Sequence, residues 1–336
     1  MLCIIADDLT GALDAAGPFA GRGLSVVVAF GPDATAKALS MSADVVAVST
    51  RSREVSEEVA AARVRDVAAV LPAGTRVFKK VDSRLKGNVA AELVALAPAA
   101  LLVAPAIPDF GRIVQNGAVT GFGVAQPIPI AQVLGDLMAR AFVPDTADAD
   151  DLREALEAAP AEALLVGARG LAEALAVQMT QRQAVAQRPQ AARALMVVGS
   201  RDPITLAQVA TLRAGGVDWR AAPNGQLASG RPVQALTLVQ ATPGITEVSG
   251  AEVAQALAAS IHPALTAGLD ALFLTGGATA EAVMQAMGLD VLRLEGEVLP
   301  GVPVARAGQL AVILKSGGFG GEDTLIRLAD ILTGGR

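Results

Sequence analysis

Residues 78–93, FKKVDSRLKGNVAAEL, place Lys79, Lys80, Arg84 and Lys86 within eight positions, with Asp82 and Ser83 among them. The rest of the chain is sparing with charge: 18% of its residues are charged and its formal net charge is −6. Cations gathered after an apolar strand, ahead of a Gly87–Asn88 helix start, suit a small anion. Their charges attract it, and the free N–H groups at the positive end of the helix dipole can hold it. A solvated charge cluster is the alternative, but the position between strand and helix favours an anion site. Adjacent strand residues point to opposite faces, so only one of Lys79 and Lys80 faces the ligand unless the strand has already ended.

Other strand tips carry comparable chemistry. IADDLTGA sets Asp7 and Asp8 ahead of Thr10–Gly11, where paired carboxylates can hold a substrate hydroxyl or a hydrated cation. Capping of the next helix by Asp8 or Thr10 is the competing role, and it leaves Asp7 unexplained. STRSRE supplies Arg51, Ser52 and Arg53, and a guanidinium there suits bidentate binding of carboxylate or phosphate. Three turns in the second half are friendly to phosphate: VVGSRDPIT at Gly199–Ser200, LFLTGGATAEAV at Thr275-Gly276-Gly277, and VILKSGGFGGEDTL with Lys315, Ser316 and four glycines. Glycine lets backbone N–H groups come close to phosphate oxygens. One such turn is ordinary; three in one domain point to a nucleotide.

Composition removes several chemistries. With one histidine, His262, and one cysteine, Cys3, the chain cannot assemble a multi-histidine zinc site or a disulfide framework. His262, close to a helix end before Pro263, is expected to be structural. Acid–base work then falls to Asp, Glu or Lys, with Mg²⁺ as the metal suited to oxygen ligands. There is no GxxxxGK[ST] motif, and a GxGxxG reading of Gly318-x-Gly320 fails at Asp323. The acidic balance and the lack of aromatic platforms argue against nucleic acid. No apolar window approaches 18 residues, and Asp7 and Asp8 interrupt the N-terminal apolar run, so neither a membrane span nor a signal peptide is expected. A soluble cytoplasmic protein is the expectation.

The elements that must position these residues are legible as an alternation. Apolar runs at 2–6, 24–30, 43–49, 75–80 and 100–107 alternate with helical stretches, and the pattern restarts at 195–200, 271–277 and 310–318. Such βαβ repeats predict largely parallel sheets with right-handed crossovers. Residues 181–194, QRQAVAQRPQAARA, lack an apolar period and read as a linker. The expected fold is α/β with two domains, each a mainly parallel sheet flanked by helices: 1–180 and 195–336. Ligands are expected beyond the carboxyl ends of the strands.

IADDLTGA, KKVDSRLKGN, PAIPDFGRIVQNG, VVGSRDPIT, TGGATA and LKSGGFGGEDTL, in this order, resemble the four-carbon acid sugar kinase family. The resemblance runs from residue 4 to about residue 327 and implies a sugar-acid-binding N-terminal domain and an ATP-binding C-terminal domain. Phosphate would pass to the terminal hydroxyl in a cleft between them, with ATP and Mg²⁺ as cofactors; a homodimer is compatible with this. Carried over by motif, Asp7, Asp8, Arg53, Lys79, Lys80, Asp82, Ser83 and Asn88 fall at the sugar acid, joined by Lys86 of the same cluster. Ser200, Gly276, Gly277, Ala278, Thr279, Gly317, Gly318 and Gly320 fall at the nucleotide, with Lys315 beside them. Asp8, Lys80 and Asp82 are the expected catalytic groups, with either Asp8 or Asp82 as the proton acceptor. The family's usual KKxDSTLRGN carries Arg84 for Thr and Lys86 for Arg here, its GGETA carries Ala278, and the stretch after Gly117 is shorter. A non-catalytic sensor of the same ligands, and a Schiff-base enzyme using Lys79 or Lys80, are the rival readings.

Overall fold

Short runs of Val, Leu, Ile and Ala with no polar alternation form strands buried on both faces, which is the condition of a parallel sheet covered by helices. In the computed structural model, which describes residues 1–228 and 232–335, the N-terminal half follows this rule. Its elements are β1 (Leu2–Ala6), α1 (Leu9–Gly21), β2 (Val26–Ala29), α2 (Thr35–Ser40), β3 (Val45–Ser49) and α3 (Glu57–Ala69). They continue through β4 (Arg76–Lys80), α4 (Val89–Ala95), β5 (Leu101–Ala104), β6 (Arg112–Gln115), β7 (Ala118–Gly121) and β8 (Ile128–Pro129). The last are α5 (Ile130–Leu134), β9 (Ala141–Phe142), α6 (Ala149–Ala158), β10 (Leu164–Gly167) and α7 (Arg169–Thr180). The chain divides into a unit of Met1–Ala184 and a unit of Val185–Arg336.

The main sheet of the first unit has strand order β2-β3-β1-β4-β10-β5-β9, every pair parallel. From β1 the chain crosses to one side and from β3 to the other, so right-handed crossovers put α1 and α3 on opposite faces. α1 packs with α7, and α3 with α4. The antiparallel sheet β6-β7-β8 and the strand β10 are not among the elements expected from sequence. Their runs of two to four residues are too short for periodicity to register.

The second unit contains β11 (Ala194–Val198), α8 (Pro203–Ala214), β12 (Asp218–Pro223), β13 (Leu236–Thr242), α9 (Gly250–Ile261) and β14 (Ala271–Thr275). After these come α10 (Gly277–Ala286), β15 (Val291–Leu299), β16 (Val302–Ala307), β17 (Leu310–Lys315) and α11 (Thr324–Thr333). Its strand order is β12-β13-β11-β14-β17-β16-β15; the first five are parallel, and β16 runs antiparallel to both β17 and β15. Met196, Phe273, Ile313, Leu325 and Leu328 are core residues of this unit. His262 follows the end of α9, where its Nδ1 lies 2.7 Å from the Thr266 hydroxyl. Among the described residues no helix is long and apolar enough to cross a membrane.

Candidate active site

At the tip of β1 the two carboxylates are gathered by one guanidinium. Arg53, on the loop after β3, donates from Nε to Asp7 Oδ2 at 2.7 Å and from Nη2 to Asp7 Oδ1 at 2.9 Å. Its Nη1 lies 2.7 Å from Asp8 Oδ2. Asp8 is also the N-cap of α1, accepting from the Gly11 amide at 2.7 Å and from the Thr10 hydroxyl at 2.8 Å. Asp8 thus fills the capping role and the charged role together, and both its oxygens are engaged. Burial alone would raise the Asp7 carboxyl, but the hydrogen bonds and charge of Arg53, with Lys79 and Lys80 nearby, hold it below the ordinary carboxylate range. Gly87, at φ +89°, packs directly over this pair, where a Cβ would stand 3.2 Å from Asp7 Oδ2.

Lys79 and Lys80 take opposite faces of β4, as strand alternation requires. Lys79 is fully buried on the α4 side, with its Nζ 2.9 Å from Glu92 Oε2 and 3.0 Å from the Lys80 carbonyl. Glu92, itself 1% exposed, also accepts from the Ser52 hydroxyl, which adjoins Thr50. Lys79 is therefore walled in behind the strand tip, where it ties β4 to α4, and its ammonium is turned away from the tip at which the sequence led us to expect it. Nothing in the spacing of Glu92 distinguishes it from an ordinary helix-face acid, so sequence reasoning missed it. Lys80 lies on the α1 side, where a Cβ on Gly11 would stand 3.2 Å from its Nζ. It is 5% exposed; its ammonium donates to the Val81 carbonyl at 3.1 Å and, among the described residues, forms no ion pair, its charge acting on Asp7 from further off.

Beyond β4 the chain turns at Asp82, whose Oδ1 accepts from the Arg84 amide at 2.8 Å, leaving Oδ2 without a hydrogen-bond partner among the described residues. Ser83 accepts a hydrogen bond from Arg112 Nη1, and the Arg112 Nε and Nη2 both donate to the Phe122 carbonyl. Arg112, at the start of β6, thus joins the site; its motif was visible in the sequence but its role was not. Burial and the neighbouring Arg84 lower its pKa, against the pull of Asp82. Asn88 turns its amide to the Ser52 and Val55 carbonyls, both at 2.9 Å, and so braces the loop bearing Arg53. Lys86 is exposed and has no recorded partner among the described residues. Arg51 and Leu85, in the two tip loops, hold φ of 50° and 56°. A separate cavity of about 550 Å³ between α6 and α7, lined by Leu152, Arg153 and Arg169 among others, includes none of these tip residues.

In the second unit the turns after β11, β14 and β17 meet. A Cβ on Gly276, which sits at φ +101°, would stand 3.0 Å from the Ser200 amide nitrogen, and one on Gly317 would stand 2.4 Å from Ser200 Oγ. Thr279 is buried against Gly199, so closely that a Cβ there would overlap its hydroxyl. Gly276 caps α10 without any side-chain hydrogen bond, and Gly277 and the exposed Ala278 open that helix. Gly318 lies alongside Asp202, the N-cap of α8, with a Cβ position 3.2 Å from Asp202 Oδ2. Gly320 holds φ +83°. These are turns that any side chain would fill, which fits a backbone cradle for phosphate. Lys315 differs from expectation: its ammonium is turned back into the loop behind the glycines. Among the described residues no three His, Cys, Asp or Glu side chains cluster as a metal cage. Asp202, beside Gly318, is a single carboxylate of the kind that Mg²⁺ carried on nucleotide phosphates would use.

The sugar-binding N-terminal domain family matches residues 2–132, and the nucleotide-binding C-terminal domain family matches residues 225–325. A D-threonate kinase of Cupriavidus necator is 33% identical, with 96% of this chain and 95% of that protein aligned. A 3-oxo-tetronate kinase of Methylobacterium radiotolerans is 28% identical, with 98% of each aligned. The crystal structure of a Haemophilus influenzae protein shares the fold, with a TM-score of 0.70 at 21% identity over 97% of this chain and 99% of that one. On the near-complete likeness to the D-threonate kinase and the two matching domains, the chain belongs to the four-carbon acid sugar kinase family.

Proposed function

We propose that this protein transfers the terminal phosphoryl group of ATP to the carbon-four hydroxyl of a four-carbon sugar acid of the threonate, erythronate or 3-oxo-tetronate type. The observation that carries the reading is Lys80, a 5% exposed ammonium with no carboxylate partner among the described residues. The charge of Asp7 acts on it only from beyond ion-pair distance, so a buried cation here is incompletely compensated, and an anionic substrate would complete the compensation. Arg84 and Arg112 extend the positive lining, and they suit the substrate carboxylate. Arg53, held by Asp7 and Asp8, acts as the rigid floor of the site.

Asp82 is the proton acceptor in this reading. Asp8 has both oxygens in hydrogen bonds or ion pairing, whereas Asp82 keeps Oδ2 uncommitted. The substrate hydroxyl oxygen attacks the terminal phosphorus, the bond from phosphorus to the bridging oxygen breaks, ADP leaves, and the hydroxyl proton passes to Asp82. Positioning and charge neutralisation supply most of the catalysis in phosphoryl transfer, so the acceptor's main task is to stand within reach of that proton. Lys80 neutralises charge on the transferring group. The turns at Ser200, Gly276–Thr279 and Gly317–Gly320 bind the nucleotide phosphates, and Asp202 is the carboxylate placed to hold Mg²⁺, which would neutralise phosphate charge there.

A coupled assay for ADP release over a panel of four-carbon acids tests this. We expect turnover with at least one tetronate and loss of turnover in Asp82→Asn. Binding of both ATP and a tetronate without ADP release would identify a sensor and overturn the assignment.

A further inference from the structure

The glycine loop after β17 is built around one side chain. Lys315 is 1% exposed, and its Nζ lies 3.2 Å from the Thr205 hydroxyl, 2.8 Å from the Ser316 carbonyl, 3.1 Å from that of Gly317 and 3.1 Å from that of Phe319. Thr205 in turn donates to the Gly317 carbonyl, and Gln208 donates to the carbonyls of Phe319 and Gly321, both at 2.9 Å. The loop is pinned to α8 through its carbonyls.

In a trans peptide the C=O and N–H of one unit point in opposite directions. Turning the carbonyls of 316, 317 and 319 inward therefore turns the amides of Gly317, Gly318 and Gly320 outward. None of those three N–H groups has a recorded acceptor among the described residues. They belong to the same glycines that the sequence placed at the nucleotide. We propose that Lys315 is a positioning residue: its buried ammonium fixes the carbonyls of the loop from behind, so that three backbone amides are presented outward as a nest for the phosphates of the nucleotide. This rests on the nucleotide reading of the second unit given above. A nest of successive N–H groups is a known anion-binding device. Here its polarity is set by a cation behind it that does not itself touch the ligand.

The arrangement has a titratable signature. Burial pushes the Lys315 ammonium down to about 8, against the attraction of the Asp202 carboxylate, the charged group facing it from α8. Phosphate bound in front of the loop favours the charged lysine. Nucleotide affinity is therefore full below about pH 8 and falls as pH rises through that value, by roughly tenfold between pH 7.5 and 9.5.

Calorimetry with ATP at pH 7.5 and 9.5, on the wild type and on Lys315→Met, is the test. The expected result is the alkaline loss in the wild type. In the folded variant, affinity should already be at least about tenfold weaker at pH 7.5, with little further pH dependence and an unchanged Kd for the sugar acid. Should Lys315→Met fail to fold, the carbonyl carbon resonances of Ser316, Gly317 and Phe319 in the nucleotide-free wild type decide: they should titrate together near pH 8. Carbonyls that do not titrate overturn the proposal, as does a folded variant with wild-type ATP affinity. Loss of ATP affinity combined with motionless carbonyls would mean that Lys315 meets phosphate directly. A wild type that binds no nucleotide at all would overturn the functional reading as well, which separates the two failures.

Discussion

Replacing Lys79 by methionine should unfold far more than it disables. The side chain is fully buried and its ammonium lies 2.9 Å from Glu92 Oε2, itself 1% exposed and hydrogen-bonded by Ser52. Methionine fills a similar volume, so little is lost in packing, but the Glu92 carboxylate is left buried without its counter-charge. Removing one partner of a buried pair costs about 3–5 kcal/mol. For a folding unit of this size, 1 kcal/mol moves the melting temperature by about 2–4 °C, so the expected fall is about 6–20 °C. The assay is thermal and urea unfolding of Lys79→Met, Glu92→Gln and the double variant. Glutamine keeps an acceptor for Ser52, so the double variant removes both charges while retaining that hydrogen bond, and it should recover at least half of the loss. At a temperature where Lys79→Met is folded, its KM for the sugar acid should change by less than about tenfold, or 1.4 kcal/mol. If the single variant loses less than about 1 kcal/mol, or if the double variant loses the sum of the singles, the pair is not the strut described here.

The remaining predictions concern the two sites and acid stability. Asp82→Asn should lower kcat by at least about a hundredfold with little change in melting temperature, whereas Asp8→Ala should cost about 1 kcal/mol of stability through the lost cap; equal kcat losses in stable forms of both would return Asp8 to candidacy. Gly276→Val, which forces a branched side chain to φ +101° with its Cβ 3.0 Å from the Ser200 amide, should weaken ATP binding at least tenfold, about 1.4 kcal/mol. Sugar-acid binding by calorimetry should change much less, and the reverse pattern would exchange the roles of the units. The Asp7 carboxyl is held below its ordinary range by Arg53, so its contribution to stability is present above about pH 4 and lost as pH falls below that. Arg53→Met should be less stable at neutral pH and should lack this part of the acid loss; unfolding curves with the same pH slope as the wild type would refute the clamp.

The alternation of apolar runs was enough to locate β1, β3, β4, β14 and β17 within a residue or a few, because strands buried on both faces are written as unbroken aliphatic runs. The same logic placed Asp7, Arg53, Lys80, Asp82, Ser200 and the glycine turns at strand tips, since the carboxyl ends of parallel strands are where loops converge. Composition alone, through a single histidine and a single cysteine, removed whole classes of chemistry. The short β6–β8 sheet and β10 were not legible, being too brief for any period to emerge.

What only the tertiary structure decided is the direction in which each charge is turned. Lys79 and Lys80 are neighbours of the same type, yet one is sealed against Glu92 and the other forms no direct ion pair among the described residues, because the strand sends them to different faces covered by different helices. Lys315 stands in a loop that any reader of sequence would give to phosphate, but the hydroxyl of Thr205 and the inward carbonyls claim its ammonium. Arg112 comes 29 residues from Ser83 along the chain and meets it only through the fold. Sequence fixes which groups can ionise and which strands they follow. Which partners they find is settled by packing, since hydrogen bonds and ion pairs act over a few ångströms between residues that may be far apart in the chain.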